Sequence, residues 1–399
     1  MKRIYPNQAE AVANALYEIL EEKKRASRVL EQTVEAHPKW GARDRKLLYE
    51  AVYSILRWKR KFDTMAELDE GGFHPWALIK SWCILNDYTI PDWKEMQCSP
   101  NATKEELMAF DAGQQDIMHA FPSWLYDLGK KELEATWENE MNALNSKAAV
   151  ALRVNRILVS PKKLSEQLQN QFQIETAQKP NTPDALYLTK GRKLNKNPLF
   201  RKGHFEIQDA NSQRIAPFCN VKAAMKVIDL CAGAGGKTLH LAALMRNQGE
   251  IRAFDIEVNK LKELNRRVKR AKVKCVKTAC INDELLKENQ AWADVVLIDA
   301  PCSGLGTLKR NPEIKWQLSS ERLEELKSTQ KQLLEQAVDL IHKEGKIVYA
   351  TCSVLPSENQ MQTTWFLKQH PEFKLEEEQH ILGQDSDFDG FYMARFSRK

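Results

Sequence analysis

The sequence predicts a multidomain chain in which a doubly wound, Rossmann-like α/β domain follows a small α+β module and an all-α amino-terminal domain. Three observations carry this reading. Apolar residues recur at helical spacing through the first third of the chain. From Met225 onward, short apolar runs alternate with helical patterns, the signature of a parallel sheet wound with helices on both faces. A glycine-rich loop, Gly233 to Gly236, stands directly between the first of those strands and the first of those helices, where backbone N–H groups and a helix dipole can meet a ligand.

Residues 1–142 read as the helical domain. Ala9, Val12, Ala13, Leu16 and Leu20 form one apolar stripe, Leu48, Ala51, Val52 and Ile55 a second, and a Trp-rich stretch from Phe73 to Trp93 continues the region. Residues 143–215 change character. A strand pattern over 149–154, a helix over 162–171 and turn-rich 179–184 suit a small α+β module. Residues 216–399 hold the alternation: strands over 226–230, 251–255, 274–278, 294–299 and 346–351, helices from Thr238, over 258–271 and over 323–342, and a closing antiparallel hairpin.

At 399 residues the chain has room for roughly two or three such domains. Its hydrophobic fraction of 43% is ordinary for a globular protein. No apolar run approaches the roughly 18 residues of a membrane helix, and Met1 to Pro6 lacks the apolar stretch of a secretory signal, so the expectation is a cytoplasmic protein without a membrane. The 8 cysteines form no Cys-x-x-Cys pair and have no nearby His at ligand spacing, which argues against zinc and a disulfide framework.

The net charge of +6 is mild, and its distribution says more than its sum. Basic residues gather in Arg57-Trp58-Lys59-Arg60-Lys61, in Arg192-Lys193 through Lys196 to Arg201-Lys202, in Arg266-Arg267 through Lys274, and in Lys309-Arg310. Trp58, Phe200 and Trp316 lie beside them. Any one cluster is more often a solvated helix face; four with aromatics suggest a surface that tracks a nucleic-acid backbone and stacks bases.

The loop after the first strand reads Asp229-Leu230-Cys231-Ala232-Gly233-Ala234-Gly235-Gly236-Lys237-Thr238. As a P-loop it has Gly236-Lys237-Thr238 but places Cys231 where the first glycine belongs. As a dinucleotide fingerprint its third glycine comes too early. Asp255, closing the second strand, stands where a carboxylate could take ribose hydroxyls, although a solvated strand-end acid would look the same. Two cysteines each follow a buried-strand pattern, Cys302 in Asp299-Ala300-Pro301-Cys302-Ser303-Gly304 and Cys352 in Thr351-Cys352-Ser353. Taken singly each would more often be a core residue. At the carboxyl ends of parallel strands, both could face one crevice.

These three motifs, in this order, resemble the Sun-type family of RNA cytosine carbon-5 methyltransferases. Further pieces are similar to it: Ile207-Gln208-Asp209-Ala210, the run Arg310-Asn311-Pro312-Glu313-Ile314-Lys315-Trp316, Pro356-Ser357-Glu358-Asn359, and Asp389-Gly390-Phe391-Tyr392. The resemblance covers residues 149–399. More softly, Arg43-Asp44-Arg45 and Tyr53 to Trp58 resemble the NusB-like RNA-binding domain of bacterial rRNA members.

The resemblance implies a class I methyltransferase fold and S-adenosylmethionine as cofactor. It implies that Cys352 adds to carbon 6 of the base, that Cys302 aids release of the enzyme afterwards, and that Asp299 sits near the pyrimidine edge. Carbon 5 of cytosine is a poor nucleophile until such an addition, so two thiols have separate work to do. Cys231, Ala232, Gly233, Ala234, Gly235, Gly236 and Lys237 would line the cofactor, with Asp255 on its ribose and Asp299 close by. The family places a further acid after the third strand; here Asn282 and Asp283 compete for that place, and Asp283 is taken.

DNA cytosine methyltransferases use a Pro-Cys nucleophile, which would be Pro301-Cys302 and would leave Cys352 idle. The Thr-Cys-Ser motif argues against that reading. The expectation is therefore a monomer acting on RNA, with rRNA preferred to tRNA on the NusB-like start alone, and with no DNA partner. A catalytically silent ribosome assembly factor is the alternative of a different class. Its motifs would be broken, and these are intact.

Overall fold

A computed structural model of the chain describes residues 2–109, 115–179, 182–189 and 194–399. The chain divides into two compact units: Met1–Ser146 with Leu308–Ser320, and Lys147–Thr307 with Glu321–Lys399. Among the described residues no helix is long and apolar enough to cross a membrane.

The first unit is helical, with principal helices Pro6–Leu20, Ala26–Ala36, Ala42–Met65, Pro75–Leu85, Ser123–Leu133 and Trp137–Leu144. A two-residue strand, β1 (Lys2–Arg3), pairs in parallel with β2 (Tyr88–Thr89). Proline at the first turn starts two of the helices, where its missing N–H costs nothing. The two stripes legible in the sequence meet in one core: Val12, Leu16, Val52 and Ile55 are wholly buried with Leu78 and Trp82.

Residues 308–320 correct the expected boundaries, because sequence placed them in 216–399 and the structure gives them to the helical unit. Hydrogen bonding supplies the reason. The helix Ala42–Met65 breaks its dihedrals at Trp58, and an irregularity of that kind leaves carbonyls without their helical partners. Trp316 Nε1 donates to Leu56 O at 2.6 Å. Lys315, wholly buried, donates to Arg57 O at 2.8 Å, Ala120 O at 2.7 Å and Asn145 Oδ1 at 3.0 Å. Arg57 in turn donates to Ser146 O at 2.9 Å and Lys309 O at 3.0 Å.

The second unit carries two sheets. A four-stranded antiparallel sheet combines β3 (Ala151–Val154), β4 (Thr176–Ala177), β5 (Ala185–Leu188) and β6 (Phe205–Ile207) in the order β4-β5-β3-β6. The helix Pro161–Phe172 covers it, capped by Ser160 Oγ and ended by Gln173 in the left-handed region. Leu152, Val154, Leu164, Leu168 and Phe205 fill the space between.

The larger sheet contains β7 (Lys226–Asp229), β8 (Glu250–Asp255), β9 (Val276–Cys280), β10 (Ala293–Asp299), β11 (Ile341–Thr351), β12 (Phe373–Ile381) and β13 (Phe391–Arg398). Its order is β12-β13-β11-β10-β7-β8-β9, parallel from β11 to β9, with β13 antiparallel to both β11 and β12. The chain runs outward from β7 to β9 and then returns to the other side of β7. The carboxyl ends of β7 and β10 therefore flank the switch point, where loops part and leave a crevice.

Three details differ from the sequence reading. The third strand is displaced toward its carboxyl end, to Val276–Cys280, since ladder pairing starts at Ile251 with Val276. An unforeseen short helix, Asp283–Glu288, follows it, with Asn282 Oδ1 accepting from Leu285 N at 2.7 Å as its cap. His342 lies in β11 rather than in the long helix Ser320–Leu340, and pairs with Asp294 at 2.7 Å.

Candidate active site

The loop after β7 is shaped by two glycines in the left-handed region, Gly233 at φ +55° and Gly235 at φ +84°. A Cβ on Gly235 would stand 1.9 Å from Leu264 Cδ1, whereas one on Gly233 would meet nothing within 4 Å. Gly235 is thus demanded by packing as well as dihedral, and Gly233 faces open space. Main-chain bonds fix the rest: Ala232 N donates to Phe254 O at 2.9 Å and Gly235 N to Ala232 O at 2.8 Å. Arg267 donates to Ala234 O at 2.8 Å, and buried Arg153 donates to Gly236 O and, at 2.6 Å, to Gln208 Oε1.

Three carboxylates surround this loop at the strand ends. Asp255 accepts from Gly233 N and from Glu257 N, each at 2.8 Å, so it both orients the loop and turns the chain after β8. Asp229 is wholly buried; Oδ2 accepts from Thr238 Oγ1 at 2.7 Å, while Oδ1 has no hydrogen-bond partner among the described residues. Burial raises its pKa to about 7. Asp299 closes β10 and accepts from Lys237 Nζ at 2.6 Å. Burial works against the Lys237 ammonium, but Asp299 outweighs it and the pKa stands above the ordinary value.

Cys302 and Cys352 follow β10 and β11, the two central neighbours in register. Both are half-buried rather than core, and their sulfurs are 3.3 Å apart. Cys352 N also donates to Cys302 Sγ at 3.3 Å. The hydrogen bond with Cys352, then burial and the nearby charges of Cys352 and Glu358, push the Cys302 thiol well above its usual range. Cys352 is among the groups that raise the Lys237 pKa, so the two side chains stand near each other.

The structure thus gathers Asp299, Lys237, Cys302 and Cys352 with the glycine loop and Asp255 at the carboxyl ends of the parallel strands. Cys231 lies at the head of the loop, its thiol pushed well up by burial. Asp283 is exposed in the first turn of its short helix, while Asn282 is occupied as the cap. Sequence reasoning missed the buried, half-partnered Asp229, although its place as the acid directly ahead of the loop was a signal.

The basic clusters need correction. Arg57 and Lys59 are buried, Lys59 paired with Asp63 at 2.9 Å, and Arg60 pairs with Glu70 at 3.1 Å. Lys309 is buried as well, and Trp316 is held by its indole N–H. Arg267 and Arg270 pair with Glu206 at 3.0 and 2.7 Å. The physical reason is common to all: a guanidinium or ammonium beside an aromatic also serves as an internal donor to carbonyls and carboxylates. Exposed basic residues remain at Lys196, Arg201, Lys202, Lys262, Arg266, Lys269, Lys272, Lys274 and Lys277. Arg192 and Lys193 lie outside the described residues.

The chain is similar to known proteins over most of its length. A family model described as 16S rRNA methyltransferase RsmB/F matches residues 218–397, and one described as the RsmF/B-like ferredoxin-like domain matches residues 121–195. The ribosomal RNA small subunit methyltransferase B of Photorhabdus laumondii is 32% identical over 308 residues, which is 74% of this chain and 71% of that protein. Its counterpart in Yersinia pseudotuberculosis is 31% identical over 300 residues, 72% of this chain and 68% of that one. The crystal structure of PH0851 superposes with a TM-score of 0.84 at 23% identity, covering 99% of each chain. That of NSun6 from Pyrococcus horikoshii with SFG gives 0.65 at 22% identity over 70% of this chain and 99% of that one. The last two likenesses show the fold.

Proposed function

We propose that this chain, which belongs to the RsmB/F family of S-adenosylmethionine-dependent RNA methyltransferases, forms 5-methylcytosine in 16S rRNA through a covalent bond between Cys352 and the base. The observation that carries the proposal is the pair of half-buried thiols 3.3 Å apart beside the Lys237–Asp299 ion pair. Ribosomal RNA is favoured by the names of the curated relatives and by the resemblance of the helical start to NusB.

The residues present fit the cofactor. Open space lies beside Gly233, a buried carboxylate oxygen of Asp229 stands without a partner among the described residues, and Asp255 sits at the adjacent strand end. Gly233, Gly235 and Gly236 would hold it by main chain, with Lys237, Asp229 and Asp255 around it and Asp283 at the outer end. When bound it supplies an electrophilic methyl group on sulfur.

The chain's own residues do the rest. Cys352, as thiolate beside Lys237, adds to carbon 6 and turns carbon 5 into a nucleophile. Asp299 meets the pyrimidine edge and favours the protonated nitrogen 3 that makes addition easier. Once carbon 5 carries the methyl, its hydrogen leaves to solvent as a proton, the Cys352 sulfur departs and the ring double bond is restored. Cys302, its sulfur 3.3 Å away, is placed to ease that departure by donating its S–H to the leaving thiolate as a hydrogen bond. A stacked cytosine offers no such access, so the base is flipped out of structured RNA.

Bisulfite mapping of cellular RNA with and without this gene tests the reading, with a Cys352→Ala copy as control. One 16S position should lose its methyl in both the deletion and the Cys352→Ala strain. A change confined to tRNA would move the substrate there. An unchanged map would favour a silent assembly factor.

A further inference from the structure

The turn Pro356–Glu358 follows the Cys352 loop and buries its acid completely. Glu358 accepts from Ser303 N at 2.8 Å, from Ser303 Oγ at 2.5 Å and from Gln330 Nε2 at 3.0 Å. Gln330, itself wholly buried, also donates to Pro301 O at 3.0 Å. Both neighbours of Cys302 are thereby held from one carboxylate and the amide attached to it. The next residue holds the other thiol's neighbours: Asn359 accepts from Thr351 Oγ1 at 2.6 Å and donates to Ser353 O at 3.0 Å. Ser303 Oγ and Ser353 Oγ close the frame at 3.1 Å.

A buried carboxylate is costly unless its oxygens are fully engaged, and an apolar residue would fill the space more cheaply. Its placement needs a reason beyond stability. We infer that Glu358 is a positioning residue for the two-thiol reaction, which with Asn359 holds the Cys302 and Cys352 loops so that Cys302 can act on the sulfur of Cys352. The inference rests on the covalent reading above. A second effect runs the same way: Glu358 is among the groups that push the Cys302 thiol up, which preserves the S–H that can hydrogen-bond a departing thiolate.

Release, rather than addition, should therefore be the step that suffers when Glu358 is changed. The experiment compares Glu358→Ala, Glu358→Gln and Cys302→Ala on a 16S rRNA substrate with S-adenosylmethionine, reading cofactor affinity by calorimetry, methyl transfer in a single turnover, and protein–RNA adduct that survives denaturing gels. Glu358→Ala should bind the cofactor within about threefold of the parent and still transfer methyl once. It should accumulate adduct as Cys302→Ala does, with multiple turnover lowered roughly 10- to 100-fold, the scale of a small misplacement of reacting groups. Glu358→Gln, which keeps an accepting oxygen, should accumulate less.

Parent-like turnover without adduct in Glu358→Ala would overturn the inference, as would joint loss of cofactor affinity and adduct with a parent-like Glu358→Gln, the mark of a merely structural role. Should Glu358→Ala not fold, Glu358→Gln decides: accumulated adduct supports the role and parent-like behaviour overturns it. If Cys302→Ala itself forms no adduct, the covalent reading fails instead.

Discussion

Lys237 and Asp299 form a 2.6 Å ion pair that joins the first turn of the helix after β7 to the last residue of β10. These two elements lie on either side of the switch point of the sheet, so the pair links the glycine loop to the strand end that leads to Cys302. Its charge balance matters to both: Asp299 keeps Lys237 charged, and charged Lys237 lies within reach of Cys352.

Replacing Asp299 by Asn keeps the shape and removes the charge. Methyl transfer should fall about 100-fold or more, the scale of losing one preorganised polar group at a reacting centre. Cofactor affinity, read by calorimetry, should fall less than about tenfold if Asp299 serves the base. Equal losses in transfer and in affinity would make Asp299 a cofactor ligand alone.

Asp229 predicts a pH dependence for the cofactor-free protein. Its folded pKa of about 7 lies above the ordinary carboxylate value because burial comes first among its influences. The folded state therefore binds this proton more tightly, and the stability it contributes is full below about pH 4 and lost as pH rises through about 7. His240 runs the opposite way, since burial lowers it to about 4 and its cost grows as pH falls. Comparing parent with Asp229→Asn isolates the first effect. Urea midpoints should show the variant gaining on the parent by roughly 2–4 kcal/mol between about pH 4 and pH 8; a constant difference would mean Asp229 is ionised throughout.

Lys315→Met removes the donor that three oxygens of the helical unit share. Leaving buried acceptors unpaired should lower the stability of that unit by roughly 1–3 kcal/mol, even after the gain from deleting a buried charge. Hydrogen exchange within the helix Ala42–Met65 is the measurement. Unchanged protection there would show that the kink is held without Lys315.

RNA affinity should fall steeply with added salt if the exposed basic residues contact the backbone. Lys269→Glu with Lys274→Glu should weaken binding and flatten the dependence of log affinity on log salt by about one to two units of slope. Lys59→Ala, at a buried ion pair, should lower the melting temperature instead. A double variant with parent-like salt dependence would place the RNA elsewhere.

Much of the catalytic unit was legible in the residues themselves. Alternation from β7 to β11, the glycine loop, and cysteines after β10 and β11 are local patterns, because a buried parallel strand, a positive-φ turn and a strand-end residue each need particular side chains at particular spacing. Motif order then named the family, and with it the roles expected of Cys302 and Cys352. The edge strand β9 was read two residues early because its pattern, half-buried at Val276, Thr278 and Ala279 and exposed at Lys277 and Cys280, carries little signal.

Only the folded chain decided what depends on partners distant in sequence. Composition cannot tell Arg57 or Lys59, turned inward onto carbonyls and Asp63, from Lys269 or Lys274 in solvent, because the same side chain serves both settings. Nor could spacing assign Leu308–Ser320 to the helical unit, since the broken helix at Trp58 supplies the acceptors that Lys315 and Trp316 satisfy. The sequence by itself determined that two thiols end two strands of a doubly wound sheet. That they stand 3.3 Å apart, framed by Glu358 and Asn359, follows from hydrogen bonds no local pattern encodes.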